Sequence, residues 1–312
     1  MFDWGRVLLQ NIHMSHILLS LILVAGSVAT YAADTPPAAS IPTAAQYCAE
    51  QLKAMRGPAD PAEIDAVCAK VKQLPGCESI AGTPIFHYDK VGADKVPKRI
   101  FAKALIHGDE VLAGSVARAW MLRLEKIDPR NSWRVIAIAN PDGYKARTRS
   151  NSRGVDLNRN FPTKDWEEAA LKYWEVKTKS DPRRNPGTTG GSEVETQCLM
   201  KQFEDFKPDF IISIHTPLGV LDFDGPKVKN PPRFNPLPWT ALGNFPGSLG
   251  RYMWVDHNVP VLTIELKGNE DIKKLEAFDR LQDVSGTVAI QADQLNKSEK
   301  RAPQTTKSSS KE

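Results

Sequence analysis

Four residues of this chain have types and settings that could do chemistry together: His107, Glu110, His215 and Glu265. His107 and Glu110 stand three apart, where an apolar strand-like run gives way to a helix-like one. His215 and Glu265 close two further apolar runs, Pro208-Asp-Phe-Ile-Ile-Ser-Ile and Val259-Pro-Val-Leu-Thr-Ile. In an open α/β sheet, ligands gather beyond the carboxyl ends of the strands, so the four side chains are expected at one place. Two imidazoles and one carboxylate make the His₂Glu donor set of a catalytic zinc ion, which leaves a position for water. A further carboxylate beside them can take the proton of that water. Each residue alone has a plainer reading: Glu110 would favour a helix N-terminus through the dipole, and Glu265 could pair with Lys267 or Arg251. The coincidence of all four at strand ends is what argues for a site.

Sequence pattern also supplies the elements that must hold them. Lys98–Ile106 reads as a strand, Glu110–Lys126 as a helix and Trp133–Ala139 as a second strand. Ser192-Glu-Val-Glu has the form of a capping box, opening a helix that ends near Phe206. The runs before His215 and Glu265 give two more strands, and Asp271–Leu295 reads as a closing helix. Strands alternating with helices from about Ile80 predict an α/β sheet. Proline and glycine are frequent between Gly219 and Gly250, so that region is expected to be loop and to form the rim of a site.

At 312 residues and 41% hydrophobic, the chain can bury a substantial core. Of the formal net charge of +4, most lies in the tail from Lys297, leaving a nearly neutral body. A basic tail without a basic stripe on the fold gives no reason to expect a nucleic-acid partner. The N-terminus carries an apolar run from Ile17, then small residues up to Ala32 and Ala33, which is the pattern of a signal peptide over residues 1–33 cut near Ala32 or Ala33. The alternative is an uncleaved anchor, for which the run is short. Cleavage would leave a periplasmic or secreted protein with no stable membrane insertion. Residues 34–79 read as a linker and a small helical element containing cysteines, residues 80–295 as the main domain, and residues 296–312 as a disordered basic tail. Export makes the cysteines candidates for disulfides. Cys48 and Cys68 lie near opposite ends of two short helical stretches, Ala44–Met55 and Pro61–Val71, and become neighbours in an antiparallel hairpin. Pairing them leaves Cys77 with Cys198, one of three possible connectivities.

A family resemblance then emerges from motifs in order: Ile106-His-Gly-Asp-Glu110, Asn140-Pro-Asp-Gly143, Gly154-Val-Asp-Leu-Asn-Arg-Asn-Phe-Pro162, Ser213-Ile-His215, Pro246-Gly-Ser-Leu-Gly250 and Thr263-Ile-Glu265. Over about residues 99–268 the chain resembles the zinc carboxypeptidases, and among them the murein peptide amidases. The resemblance implies a single-domain α/β/α sandwich with a mixed, mostly parallel central sheet. It implies one zinc ion on His107, Glu110 and His215, with Glu265 as general base. Asn158 and Arg159 match the pair that grips a free carboxylate, a task suited to the guanidinium fork. Asp156 matches the carboxylate behind the first zinc histidine, and Ser248 and Leu249 match the pocket for the side chain beyond the cleaved bond. An arginine is expected to stabilise the oxyanion; Arg147, Arg149 and Arg153 compete for that role, and Arg149 has the preferred spacing. The implied partner is a peptide with a free carboxylate, such as a peptidoglycan stem peptide.

The chain departs from the larger carboxypeptidases in having no tyrosine at Leu242–Phe245, and Tyr252 fits that position poorly. Asp222, Asp224 and Arg233 are candidates to meet a charged substrate end. His87 and His257 are expected to stay outside the metal site. Two other readings stand beside the peptidase: a zinc deacylase releasing an amino acid from an N-acyl group, and a wall-peptide binder without catalysis. Asn140-Pro-Asp-Gly and the Asn-Phe-Pro ending favour the peptidase over the first, and Glu265 disfavours the second.

Overall fold

The computed structural model describes residues 41–226, 237–268 and 275–301. Two short helices open it, α1 (Ala44–Ala54) and α2 (Pro61–Cys68), each capped by its own sequence. Thr43 and Gln46 form a reciprocal capping box on α1, and Asp60 accepts from the Ala62 amide ahead of α2, whose first residue is proline. The chain then runs through strands β1 (Tyr88–Lys90) and β2 (Arg99–Lys103), helix α3 (Val111–Lys126), strand β3 (Ser132–Ile136), and short helices α4 (Pro141–Ala146) and α5 (Trp166–Lys172). Helix α6 (Val194–Phe206), strands β4 (Phe210–His215), β5 (Leu218–Asp224) and β6 (Val261–Lys267), and helix α7 (Leu275–Arg301) complete it.

The six strands form one sheet in the order β1-β3-β2-β4-β6-β5. The inner four are parallel, and each edge strand is antiparallel to its neighbour. The pleat divides the apolar residues between two cores. Ile100, Ala102, Phe210, Ile212, Ile214, Leu262 and Ile264 meet α3 and α7 on one face. Phe101, Ile136 and Ile211 meet Leu199 and Phe203 of α6 and Phe161 on the other. Burial on both faces is why these strands read as continuous apolar runs. The result is the expected α/β/α sandwich.

Both disulfides take the expected pairing. Cys48 and Cys68 join α1 to α2 with Cα atoms 5.5 Å apart. Cys77 and Cys198 tie the segment before β1 to α6, at 4.8 Å. The helical pair is also held by Arg118 of α3. This buried guanidinium donates to the carbonyls of Leu52, Met55, Arg56 and Gly57 at 2.8–3.0 Å, supplying donors that the end of α1 lacks.

Several expectations need correction. The Gly219–Gly250 region is not all loop, since β5 occupies its first part and pairs with β6 from Leu218↔Lys267 to Asp224↔Val261. Two aspartates and a glycine masked a strand whose backbone groups are satisfied by the sheet edge. That pairing prolongs β6 to Lys267, so Glu265 lies within the strand and not at its end. The capping box at Ser192 does not form: Glu193 is the N-cap and caps nothing with its side chain. The Ser192 hydroxyl instead donates to Glu193 Oε1 and accepts from Asn160. Helix α2 stops at Cys68, because Lys72 bridges to His87. Helix α7 runs to Arg301, beyond the start proposed for the tail at residue 296.

Candidate metal centre and active site

β2 and β4 lie side by side in the centre of the sheet, and the chain leaving β2 turns so that His107 reaches the end of β4. His107 Nδ1 lies 2.7 Å from Glu110 Oε1 and 3.2 Å from His215 Nδ1, and His215 Nδ1 lies 2.8 Å from Glu110 Oε2. All three side chains are buried. The opposite ring nitrogens are engaged from behind: His107 Nε2 meets Asp156 Oδ1 at 3.1 Å, and His215 Nε2 meets the Ser213 hydroxyl at 2.7 Å. With protons on those outer nitrogens, both Nδ1 lone pairs face inward. Burial opposes charge on Glu110, but His107 and His215 hold its carboxyl well below the usual range. Burial pushes His215 down to about 4, which keeps it neutral. Two imidazoles whose Nδ1 atoms converge with an ionised carboxylate on one point make a donor set that fits a zinc ion.

Gly108 permits this turn, because a Cβ there would overlap the backbone of Gly143. The Asn140-Pro-Asp-Gly stretch thus packs directly beneath the metal loop, with Asn140 Nδ2 donating to the Ile106 carbonyl at 3.2 Å.

A cavity of about 400 Å³ opens beside the three residues. Glu265 lines it, directly across the ladder from His215. Burial, then the Glu110 charge, raises its carboxyl to about 7, although the Leu218 amide, which donates to it at 3.4 Å, works in the other direction. Of the three candidate arginines, Arg149 is the one that lines the cavity. Its guanidinium donates to Asp156 Oδ2 at 2.9 and 3.1 Å and stands 3.2 Å from His107 Nδ1. Arg147 is exposed and stacks on the Tyr144 ring at 4.5 Å. Arg153 is exposed near Glu193.

Asn158 and Arg159 also line the cavity. Asn158 Oδ1 accepts from the Leu249 amide at 3.0 Å. Arg159 lies 4.8 Å above the Phe245 ring, and its Nε is buried with no partner among the described residues. Ser248 lines the cavity, but the Leu249 side chain does not: it is buried in the core with Phe161 and Met253, and only its amide serves the wall. The expected pocket contact from Leu249 is therefore replaced by those of Ser248 and Gly250. Asp222 and Asp224 reach the cavity from β5. Arg233 lies outside the described residues. Tyr252 stacks on Phe161 and meets His257, away from the cavity. His87 is buried beside Gln202 on the far edge.

Some residues of the site escaped the sequence reading. Arg183 and Arg184 line the cavity from a short turn begun by Pro182, and Phe245 and Thr263 complete it. Lys103 is fully buried in β2, with Nζ 3.5 Å from His215 Nε2, and burial lowers it to about 7. A lysine inside Ile-Phe-Ala-Lys-Ala-Leu-Ile was the available signal, since lysine is almost never fully buried.

Residues 86–224 match the profile of the zinc carboxypeptidase family. The chain is 32% identical over 155 residues to murein peptide amidase A of Escherichia coli K12, covering 47% of this chain and 62% of that protein. It is 32% identical over 149 residues to the protein of the same name from Vibrio campbellii, covering 46% and 58%. It thus spans about three fifths of the length of these curated relatives. The chain shares its fold with the crystal structure of murein-tripeptide amidase MpaA from E. coli O157, at TM-score 0.50 and 24% identity over 77% of this chain and 97% of that one. Bovine thrombin-activatable fibrinolysis inhibitor shares the fold at TM-score 0.56 and 15% identity, over 76% and 94%.

Proposed function

We propose that this chain is a zinc-dependent peptide hydrolase that cleaves an amide bond in peptidoglycan-derived peptides, either γ-D-glutamyl–diaminopimelate or the bond to a C-terminal residue. The observation that carries this reading is the convergence of His107, Glu110 and His215 with Glu265, Arg149, Asn158 and Arg159 on one cavity. The murein amidase likeness supports the substrate class.

His107, Glu110 and His215 would hold one zinc ion. Zinc bound there supplies a Lewis acid that makes water acidic near neutral pH and polarises a carbonyl. Glu265 takes the proton of the attacking water and delivers it to the leaving amine; a carboxyl raised toward neutrality suits both transfers. Arg149, fixed by two bonds to Asp156, faces the developing oxyanion. Arg159 and Asn158 orient the substrate through its free carboxylate. Ser248 contacts the side chain beyond the cleaved bond. Asp156 has two tasks, since its other oxygen fixes the His107 ring.

Two disulfides and the N-terminal apolar run support export, with a signal peptide cut near Ala32 or Ala33. No helix among the described residues is long and apolar enough to cross a membrane. Residues 34–79 would then begin the mature protein, followed by the hydrolase domain of residues 80–295. N-terminal sequencing of the exported protein checks the cut, and recovery of uncleaved chain in membranes would reject it.

The deciding assay gives the zinc-loaded protein a γ-glutamyl-diaminopimelate peptide, purified muropeptides and N-acyl aspartate or glutamate, with products identified by mass. Release of diaminopimelate-containing fragments is expected. Release of acyl groups alone would replace this reading with a deacylase, and no turnover of any substrate would leave a binder.

A further inference from the structure

A second cavity, of about 260 Å³, lies at the other end of the sheet from the metal-binding side chains. Those side chains stand at or beyond the carboxyl ends of β2 and β4. The second cavity forms where the chain enters β3, between α3, the residues ahead of β3 and α7. β3 begins beside Arg99, the first residue of the parallel strand β2, so this is the amino end of the inner strands. No residue lines both cavities. Leu124, Ile127, Trp133 and Ile290 give the second one an apolar wall.

Its polar groups fall into two classes. The charges are already matched: Arg123 donates to both oxygens of Asp283, at 2.8 and 3.1 Å, and Arg130 donates to Asp94 at 3.3 Å. Two carboxamides are not. Arg123 also donates to Gln282 Oε1 at 2.9 Å, which fixes the orientation of that amide. Gln282 Nε2 is left buried, with no acceptor among the described residues. Asn131 is 7% exposed, and its side chain makes no hydrogen bond among the described residues. Gly286 of α7 faces it: a Cβ there would lie 3.7 Å from Asn131 Nδ2 and 3.9 Å from Trp133, in ordinary contact. Packing thus has room for the alanine that a helix interior favours, and the glycine leaves the Asn131 amide open to the cavity. Buried polar groups are nearly always hydrogen-bonded, so two idle carboxamides in one largely apolar cavity point to a partner from outside the chain.

The complement of this cavity is neutral, because the charges around it are spent on one another. It carries a carbonyl for Gln282 Nε2, and it suits Asn131, whose amide both donates and accepts. It also carries a small apolar group to lie against Trp133. A methyl-bearing secondary amide has all of these. We propose that the cavity binds the acetamido group of an N-acetylated amino sugar, presented by a glycan strand. The choice of a strand over a free sugar rests on the peptide-hydrolase reading; the acetamido site does not. A strand held at this end of the sheet leaves the metal-side cleft open, and tethering raises the local concentration of any peptide the strand bears.

The test is binding of N-acetylglucosamine, glucose and peptide-free N-acetylated glycan strands to the full zinc-loaded chain, followed by calorimetry and by NMR shifts. The acetylated sugar is expected to bind about tenfold or more tighter than glucose, the worth of a pair of hydrogen bonds. Asn131→Ala breaks no hydrogen bond of the free protein, so it should melt like the wild type and lose that preference. Gly286→Leu, which fills the space before Asn131, should lose it too. Strands bound more tightly than the single sugar support the glycan as the source, and equal affinities support the acetamido site with a free sugar as its ligand. A wild type that binds glucose as well as N-acetylglucosamine, or neither sugar nor strand, overturns the proposal. So does an Asn131→Ala protein that keeps the preference. Hydrolysis of soluble γ-glutamyl-diaminopimelate is measured in parallel and should be unchanged in Asn131→Ala. Sugar binding without turnover refutes the hydrolase reading alone, whereas turnover without a preference for the acetylated sugar refutes the acetamido site alone.

Discussion

The two walls of the cleft are built by opposite means. His215 and Glu265 stand on adjacent parallel strands, and His107 follows a third, so the sheet ladder that makes the fold also aims these side chains. Arg149, Asp156, Asn158 and Arg159 stand on loop and a single turn of tight helix, where no ladder exists. Their support is a buried polar network. Asn151 accepts from the Arg153 and Val155 amides and donates to Glu193 and Glu195. Glu195 in turn accepts from the Ile80 amide, and Asp142 accepts from Ser79, Ala81 and Ser152. The Cys77–Cys198 disulfide pins both sides of this network. A metal site can borrow its precision from the sheet; a substrate site on loops needs buried polar groups that must all be satisfied together.

The comparison can be broken in four places. Glu265→Gln should keep zinc and lose hydrolysis by roughly 10³-fold, read as turnover against metal content; full activity would remove the base from the sheet wall. Arg149→Met should lower kcat by roughly 10²-fold with a smaller change in KM, as expected for an oxyanion donor. A change confined to KM would make Arg149 a substrate anchor instead. Asn151→Ala and Ser213→Ala sharpen the contrast between walls. The first leaves two carboxylates short of a donor and should cost about 2–4 kcal/mol in chemical denaturation, lowering kcat while zinc affinity holds. The second should weaken zinc by about tenfold with little effect on stability. If Asn151→Ala melts like the wild type, the loop wall does not depend on its network.

The smallest effect concerns pH and lies away from both walls. Burial, then the neighbouring Arg134 charge, lowers His87 from 6.5 to about 4, so the folded protein binds fewer protons there than the unfolded chain. Stability is full above about pH 6.5 and falls as the pH drops toward 4. The loss between pH 7.5 and 5 should be about 2 kcal/mol from this group, and His87→Gln should flatten that part of the profile.

The sheet wall was legible in the sequence because its signals are local: an apolar run ending in histidine, or a histidine three residues before a glutamate. The cysteine pairing was legible for the same reason, as two short helices leave few ways to bring Cys48 and Cys68 together. β5 was not, because aspartates and a glycine depress the strand pattern, and the sheet edge makes up the difference. Leu249 was assigned to the pocket by its neighbours, whereas an apolar side chain at that turn packs inward with Phe161. The Asn151 network was invisible, since Ser79, Asp142, Asn151 and Glu195 are each ordinary polar residues, far apart in the chain. Lys103 announced itself as an anomaly without declaring its partner.

Arg118 carries a consequence for control. Its guanidinium is buried against four carbonyls that all belong to the end of α1 and the turn after it. Clipping away the cysteine hairpin would strand that charge in the interior, at a cost of about 3–5 kcal/mol. None of the hairpin residues lines the cavity. The hairpin is therefore no detachable pro-segment, and a zymogen strategy based on cutting it is closed to this protein. Restraint of the proposed hydrolase would have to come from something other than trimming this hairpin.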